Sequence, residues 1–169
     1  MGSFNNQLGI IDEMQMLTFT LDNVLYGVDV KQVREVKNFE GVTPIPYAPC
    51  YVKGVTNLRG EVIPVIDLRK RFGLASAVDE KTNIMIIVQD KHPVGIIVDS
   101  VMEVLTLPKK DIETNPESLI VDKSESVLGV AKHDNELIIL LDFLRIASKG
   151  STEMTDRGFQ VQTENQTKS

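Results

Sequence analysis

The chain has 169 residues, 42% of them apolar, a formal net charge of −6 and a single cysteine. That length suits one compact domain or two small subdomains. The acidic balance argues against nucleic acid as a partner, because phosphate binding needs clustered Lys and Arg. Lone Cys50 excludes an internal disulfide framework and fits a reducing compartment. No basic start and apolar run marks a signal peptide, and no apolar stretch approaches a membrane span. The expectation is a cytoplasmic protein without direct membrane insertion.

Residues 1 to 13 are polar and read as a loose arm. Met14 to Leu21 reads as a strand, Asp22-Asn23 as a hairpin turn and Val24 to Val30 as its partner. Lys31 to Lys37 fits either a helical turn or a strand continuation. Thr43-Pro44-Ile45-Pro46-Tyr47-Ala48-Pro49 cannot be regular, since each proline removes a donor and restrains its predecessor. Next come a strand at Val52 to Thr56, a turn at Asn57-Leu58-Arg59-Gly60 and a strand at Glu61 to Ile66. Gly60 is free to take positive φ, and Pro64 points to an edge or a bulge. Asp67 is placed to cap a short helix from Leu68 to Phe72, and Gly73 to end it.

Ala75 to Thr82 connects to a buried strand, Asn83 to Gln89, with a turn at Asp90-Lys91-His92 and a partner at Pro93 to Val98. Val101 to Leu107 continues as a strand, and Pro108 to Lys123 reads as irregular, with a turn around Pro116. Val127 to Ala131, a turn at His133-Asp134-Asn135 and Leu137 to Leu141 form a final hairpin. Asp142 to Ala147 closes it as a short helix. From residue 149 to 169 the composition is that of a disordered tail.

The chain repeats itself. Asp22, Gly27, Val33, Glu35 and Val36 recur as Asp90, Gly95, Val101, Glu103 and Val104. Gly54, Val55, Glu61, Ile63 and Asp67 recur as Gly129, Val130, Glu136, Ile138 and Asp142. Each half thus holds about five short strands, too few for a comfortable open sheet. Closing each into a small barrel removes exposed edges. The expected class is all-β with short helices: two five-stranded barrels, approximately 14–82 and 83–148 or else interleaved, with an apolar layer between them. The copies diverge at one turn, where Leu58-Arg59-Gly60 stands opposite His133-Asp134-Asn135. A cation exchanged for an anion on equivalent scaffolds points to a partner met by the first turn alone.

Catalytic constellations are absent from the sequence. His92 and His133 fall in turns without ligands at metal spacing, and Cys50 has no neighbouring base and reads as a packed thiol. No phosphate loop, GxSxG or HExxH occurs. The basic group at 69 to 71 reads as a solvated helix face. No enzyme, cofactor or metal is expected.

Residues 54 to 73, GVTNLRGEVIPVIDLRKRFG, resemble the signature of the CheW family of bacterial chemotaxis coupling proteins. FTLDNVLYGVDVKQVREV (19 to 36), GIIVDSVMEVL (95 to 105) and GVAKHDNELIILLD (129 to 142) are similar to its other blocks, in the same order. The resemblance covers about residues 15 to 147. It implies two five-stranded SH3-like barrels and a non-enzymatic adaptor. Such an adaptor links the cytoplasmic tips of methyl-accepting chemoreceptors to the regulatory domain of the histidine kinase CheA. Carried onto this chain, the receptor side would comprise Val33, Glu35 and Arg59, with Gly54, Asn57 and Gly60 shaping the turn. Ile84, Gly95 and Val104 match groove positions of the second half. Thr43, Pro44, Ile45 and Ala48 are the candidates for kinase contact. Two rivals stay open: an adaptor for a non-chemotactic receptor–kinase pathway, and a small-molecule-binding β-barrel.

Overall fold

The computed structural model describes residues 12–114 and 126–147. Eleven strands among these residues form two sheets. In chain order they are β1 (Glu13–Leu21), β2 (Val24–Asp29), β3 (Val33–Asn38), β4 (Val52–Leu58), β5 (Glu61–Asp67), β6 (Asn83–Gln89), β7 (His92–Val98), β8 (Ser100–Pro108), β9 (Ile112–Glu113), β10 (Val127–His133) and β11 (Glu136–Leu141). One sheet runs β3-β6-β7-β5-β4 and the other β8-β1-β2-β11-β10-β9.

The two sheets do not divide near residue 82. The leading hairpin of each repeat has crossed into the other unit: β1 and β2 pair with β8 and β11, while β6 and β7 pair with β3 and β5. One barrel is therefore the contiguous stretch β3 to β7, and the other combines β1 and β2 with β8 to β11. Two parallel pairings, β5 with β7 and β2 with β11, complete the exchange. They were not expected from a sequence that reads as successive hairpins. They are related by the repeat, since Val65 faces Gly95 and Leu140 faces Gly27.

Alternation along the strands sorts the apolar side chains into three cores. Ile63, Val65, Ile84, Ile86 and Ile97 fill the first barrel. Met16, Leu107, Ala131, Ile138 and Leu140 fill the second. The opposite faces of the same strands supply the layer between them, with Phe19, Leu21, Ile66, Met85, Ile96 and Leu141. Phe143 and Ile146, from the helical residues 143–147, complete that layer. It is the largest of the three and is filled by the chain's own side chains.

Four two-residue hairpin turns have positive φ at both central positions: Asp22-Asn23, Arg59-Gly60, Asp90-Lys91 and Asp134-Asn135. This is the geometry whose twist suits a tight hairpin. His92 and His133 consequently lie on strands, and His133 Nε2 is 3.5 Å from Asp134 Oδ2. Asp67 caps the helical turn Leu68–Arg71 by accepting from Arg69 N at 3.1 Å, and Asp142 accepts from Leu144 N at 3.0 Å.

Several expectations need correction. Pro64 lies on β5, an interior strand between β7 and β4, not on an edge; β7 pairs only from Val65 onward, so no donor is missed there. The bulge is on the neighbouring strand β4, between Val52 and Gly54, opposite Val65 and Ile66, while Pro64 itself faces Val55. Residues 31 to 37 are both things: a 3-10 turn over Val30–Gln32, then β3. Of the stretch read as irregular, Lys109–Asp111 is a 3-10 turn and Ile112–Glu113 a short strand paired to β10. Residues 115–125, including Pro116, lie outside the described residues, as do 1–11 and 148–169. Cys50 is exposed and not packed, because its neighbours Pro49 and Tyr51 take the buried positions. The basic group after β5 is not simply solvated. Arg69 makes a forked pair with Asp99, and the Arg71 guanidinium lies 5.0 Å from the Tyr51 ring centre.

Candidate functional site

The β4–β5 turn is held by three local devices. Gly60 sits at φ 85° and Arg59 at φ 52°, and the Asn57 side chain accepts from Gly60 N at 2.9 Å. Glycine adopts this conformation freely, whereas arginine does so only at a cost of about 1 kcal/mol or more. The first position of the three sister turns is Asp22, Asp90 or Asp134, a residue type that tolerates it. Arginine is thus the exception among four turns of the same geometry, the other three of which hold aspartate at this position. A strained residue of unusual type at a solvent-facing tip points to work outside the fold.

Its guanidinium is already engaged. Arg59 Nη1 donates to Glu35 Oε2 at 2.6 Å and Nη2 to Glu35 Oε1 at 3.2 Å, a forked pair across the first barrel from β4–β5 to β3. The Arg59 side chain is 70% exposed and the Glu35 side chain 20%. The hydrogen bond from Arg59 holds the Glu35 carboxyl below the usual carboxylate range, and the same bond raises Arg59. The pair therefore stays ionised and presents a guanidinium edge of fixed orientation. Glu35 engages Nη1 and Nη2 from one side, a partnership the repeat alone did not reveal.

The other expected site residues separate into surface and interior. Val33 packs partly against the layer between the barrels, at the start of β3. Val104 is 49% exposed on β8. Ile84, only 6% exposed, and Gly95 pack within the first barrel, and Ile84 also reaches the floor of a small surface pocket lined by Lys37, Asn57 and Leu58. A side chain on Gly95 would meet the Ile84 Cδ1 methyl, so the glycine makes room for core packing. Gly54 is buried at φ 154°, and a Cβ there would run into the Thr43 carbonyl. This close approach allows Thr43 and Val55 to exchange two hydrogen bonds of 2.8 Å. Gly129 repeats the device against the Glu113 carbonyl in the second barrel.

That exchange ties down the proline loop. Ile45 and Ala48 pack partly against the middle layer, while Thr43, Pro44 and Tyr47 face outward, Tyr47 at 78% exposure and φ 62°. Two apolar residues missed from sequence are Val36, 39% exposed on β3, and Met102, 58% exposed on β8. β3 and β8 are edge strands of their sheets, and the Asn83 side chain joins their neighbourhoods by accepting from Val101 N at 2.9 Å while facing the Lys37 carbonyl at 3.4 Å. The signal for Val36 was available, since the repeat makes it the counterpart of Val104.

The site has an ion pair, exposed valines on edge strands and a rigid loop, with no group arranged for bond-making. Among the described residues no cluster of His, Cys, Asp or Glu could hold a metal ion. A family model described as the CheW-like domain matches residues 15–150. The chain belongs to the CheW-like domain family. The chain is 35% identical over 143 residues to the chemotaxis protein CheW of Klebsiella aerogenes, covering 84% of this chain and 86% of that protein. It is 34% identical over 140 residues to the CheW of Bacillus subtilis, covering 82% and 90%. Protein FrzA of Myxococcus xanthus is 32% identical over 138 residues, covering 79% and 85%. In structure it is similar to the crystallised scaffolding protein TtCheW of Thermoanaerobacter tengcongensis, with a TM-score of 0.71 and 37% identity over 78% of this chain and 91% of that one. A CheW-like fold accounts for the interleaved barrels and for the absence of reaction machinery in the sequence.

Proposed function

We propose that this chain is a non-enzymatic chemotaxis adaptor that couples methyl-accepting chemoreceptors to the histidine kinase CheA. The coarse part of that reading, a chemotaxis scaffold, follows from its family and from relatives named chemotaxis protein CheW and scaffolding protein TtCheW. The finer part is carried by one observation: among the four sister turns only this one has a cation, Arg59, at its first central position, strained and exposed, and that cation is oriented on Glu35.

In this reading a helical receptor tip lies along the edge strands. It sets apolar side chains against Val33, Val36 and Val104, and Arg59 bonds to a carbonyl or carboxylate of the helix. Gly54, Asn57 and Gly60 act through the turn. The Thr43–Ala48 loop, with Pro44 and Tyr47 exposed, meets the regulatory domain of the kinase. Placement in the cytoplasm at the inner face of the membrane then follows from attachment to receptors. Among the described residues no helix is long and apolar enough to cross a membrane.

The test is binding of purified receptor-tip fragments to the protein and to Arg59→Ala. Loss of a charge-assisted hydrogen bond should weaken binding roughly tenfold with folding unaffected. Equal binding by a folded Arg59→Ala protein would remove the guanidinium from the interface. Arg59→Asp, which restores the residue type of the sister turns, should be fully folded and bind worse still.

A further inference from the structure

The chain passes between its two barrels twice: through Val30–Gln32 from β2 to β3, and through Asp99 alone from β7 to β8. Each crossing launches an edge strand, β3 from the first and β8 from the second. The orientation of these edges relative to each other, and of Val36 and Val104 upon them, is decided at the crossings.

Both crossings are clamped by a side chain. Gln32 donates to Asp142 Oδ1 at 3.1 Å and accepts from Phe143 N at 3.0 Å. Asp99 is more elaborately held. Its carboxylate accepts from Arg69 Nε at 2.7 Å and from Nη2 at 2.6 Å, and takes a third hydrogen bond from Asp22 N at 2.8 Å. Its own N–H donates to the Thr20 carbonyl at 3.1 Å. Arg69 belongs to the first barrel; Asp22 and Thr20 belong to the second. One carboxylate thus bridges both bodies at their single-residue joint, and with Arg69 18% and Asp99 22% exposed the pair is largely sheltered from solvent.

We infer that Asp99 and Arg69 are positioning residues: their forked pair sets the angle between the barrels and thereby holds β8 in register with β3 as one binding surface. That the surface receives a receptor helix rests on the reading above; the clamp itself does not. The apolar layer between the barrels supplies adhesion, which is non-directional. The clamp adds direction, because a guanidinium fork and a carboxylate meet well only when nearly coplanar.

The experiment measures the distance between spin labels on β3 and β8 in the full chain without partners. Exposed Cys50 is first replaced by Ser, and labels are attached through Lys37→Cys and Thr106→Cys. Asp99→Ala and Arg69→Gln should broaden or shift the distance distribution, and Arg69→Lys, which keeps charge but loses the fork, should do so to a smaller degree. Glu35→Gln breaks an ion pair lying wholly within the first barrel and should leave the distribution unchanged. Distributions superimposable on the unmodified protein in the folded variants, Arg69→Lys included, would overturn the inference and leave the clamp merely stabilising. So would equal broadening by Glu35→Gln. In a second arm, Asp99→Ala should bind receptor-tip fragments severalfold more weakly. If the unaltered protein does not bind them, the functional reading fails while the distance result stands.

Discussion

Gly54→Ala offers a test that separates the proline loop from the Arg59 turn on the same hairpin. The new methyl would collide with the Thr43 carbonyl, a backbone group that cannot rotate away like a side chain. Relief requires Thr43 to withdraw, which breaks both 2.8 Å hydrogen bonds it exchanges with Val55. Two partly exposed backbone bonds are worth roughly 1–2 kcal/mol together. Holding alanine at φ 154° adds about 1–2 kcal/mol. The expected loss is therefore roughly 2–4 kcal/mol, a large share of the stability of a typical domain. Urea unfolding measures the loss, and amide exchange should quicken at Thr43 and Val55 before it does at the β6–β7 hairpin. Kinase regulatory-domain binding should fall more than receptor-tip binding, because Asn57, Arg59 and Gly60 are untouched. Gly60→Ala is the contrast: no atom lies within 4 Å of its Cβ position, so only the positive φ is felt, about 1 kcal/mol. Equal stability of Gly54→Ala and the parent, with unchanged exchange at Val55, would refute the close-approach argument.

Three further expectations follow from the same geometry. Ile84→Ala should cost about 2–5 kcal/mol in urea unfolding, as a core deletion, and the folded fraction should bind receptor tips as well as the parent. Arg69→Ala should destabilise the protein more than Lys70→Ala, since Lys70 is exposed while Arg69 neutralises the sheltered Asp99; paired melting curves decide this. Acid should weaken the fold. Arg59 lowers the Glu35 carboxyl; for Asp99, burial opposes ionisation, but the bonds from Arg69 and Asp22 N outweigh it. Both folded-state values lie below the unfolded ones. Their stabilisation is thus present above the ordinary carboxylate range and is lost as pH falls through the depressed values, below about pH 4. Denaturation across that window should show less acid sensitivity in Glu35→Gln and in Asp99→Asn.

The local elements were legible because their causes are local. Strand ends at Leu21, Gln89 and Leu141, the helix caps Asp67 and Asp142, and the positive φ of Gly60 each depend on a few neighbouring residues. The repeat was legible too, and with it the three apolar layers, because alternation assigns each strand residue to one face or the other. Arg59 stood out by comparison with its sister turn. What sequence could not supply was pairing at a distance. A strand's pattern says which face is buried but not which strand lies beside it, so the parallel pairings went unread and interleaving of the two barrels stayed one of two open arrangements. How deeply Ile84 and Gly95 are buried went unread for the same reason, since a groove and a barrel interior demand the same apolar residue types.

By itself, then, the sequence determined the strands, their buried faces, the duplicated plan and the odd cation at one turn, all of which follow from residue type and spacing. Tertiary structure alone decided that Glu35 holds that cation, that Asp99 and Gln32 clamp the crossings, and that β3 and β8 are edges. Those facts depend on groups between 24 and 111 residues apart meeting in space. Only the closed packing of the whole chain brings them together.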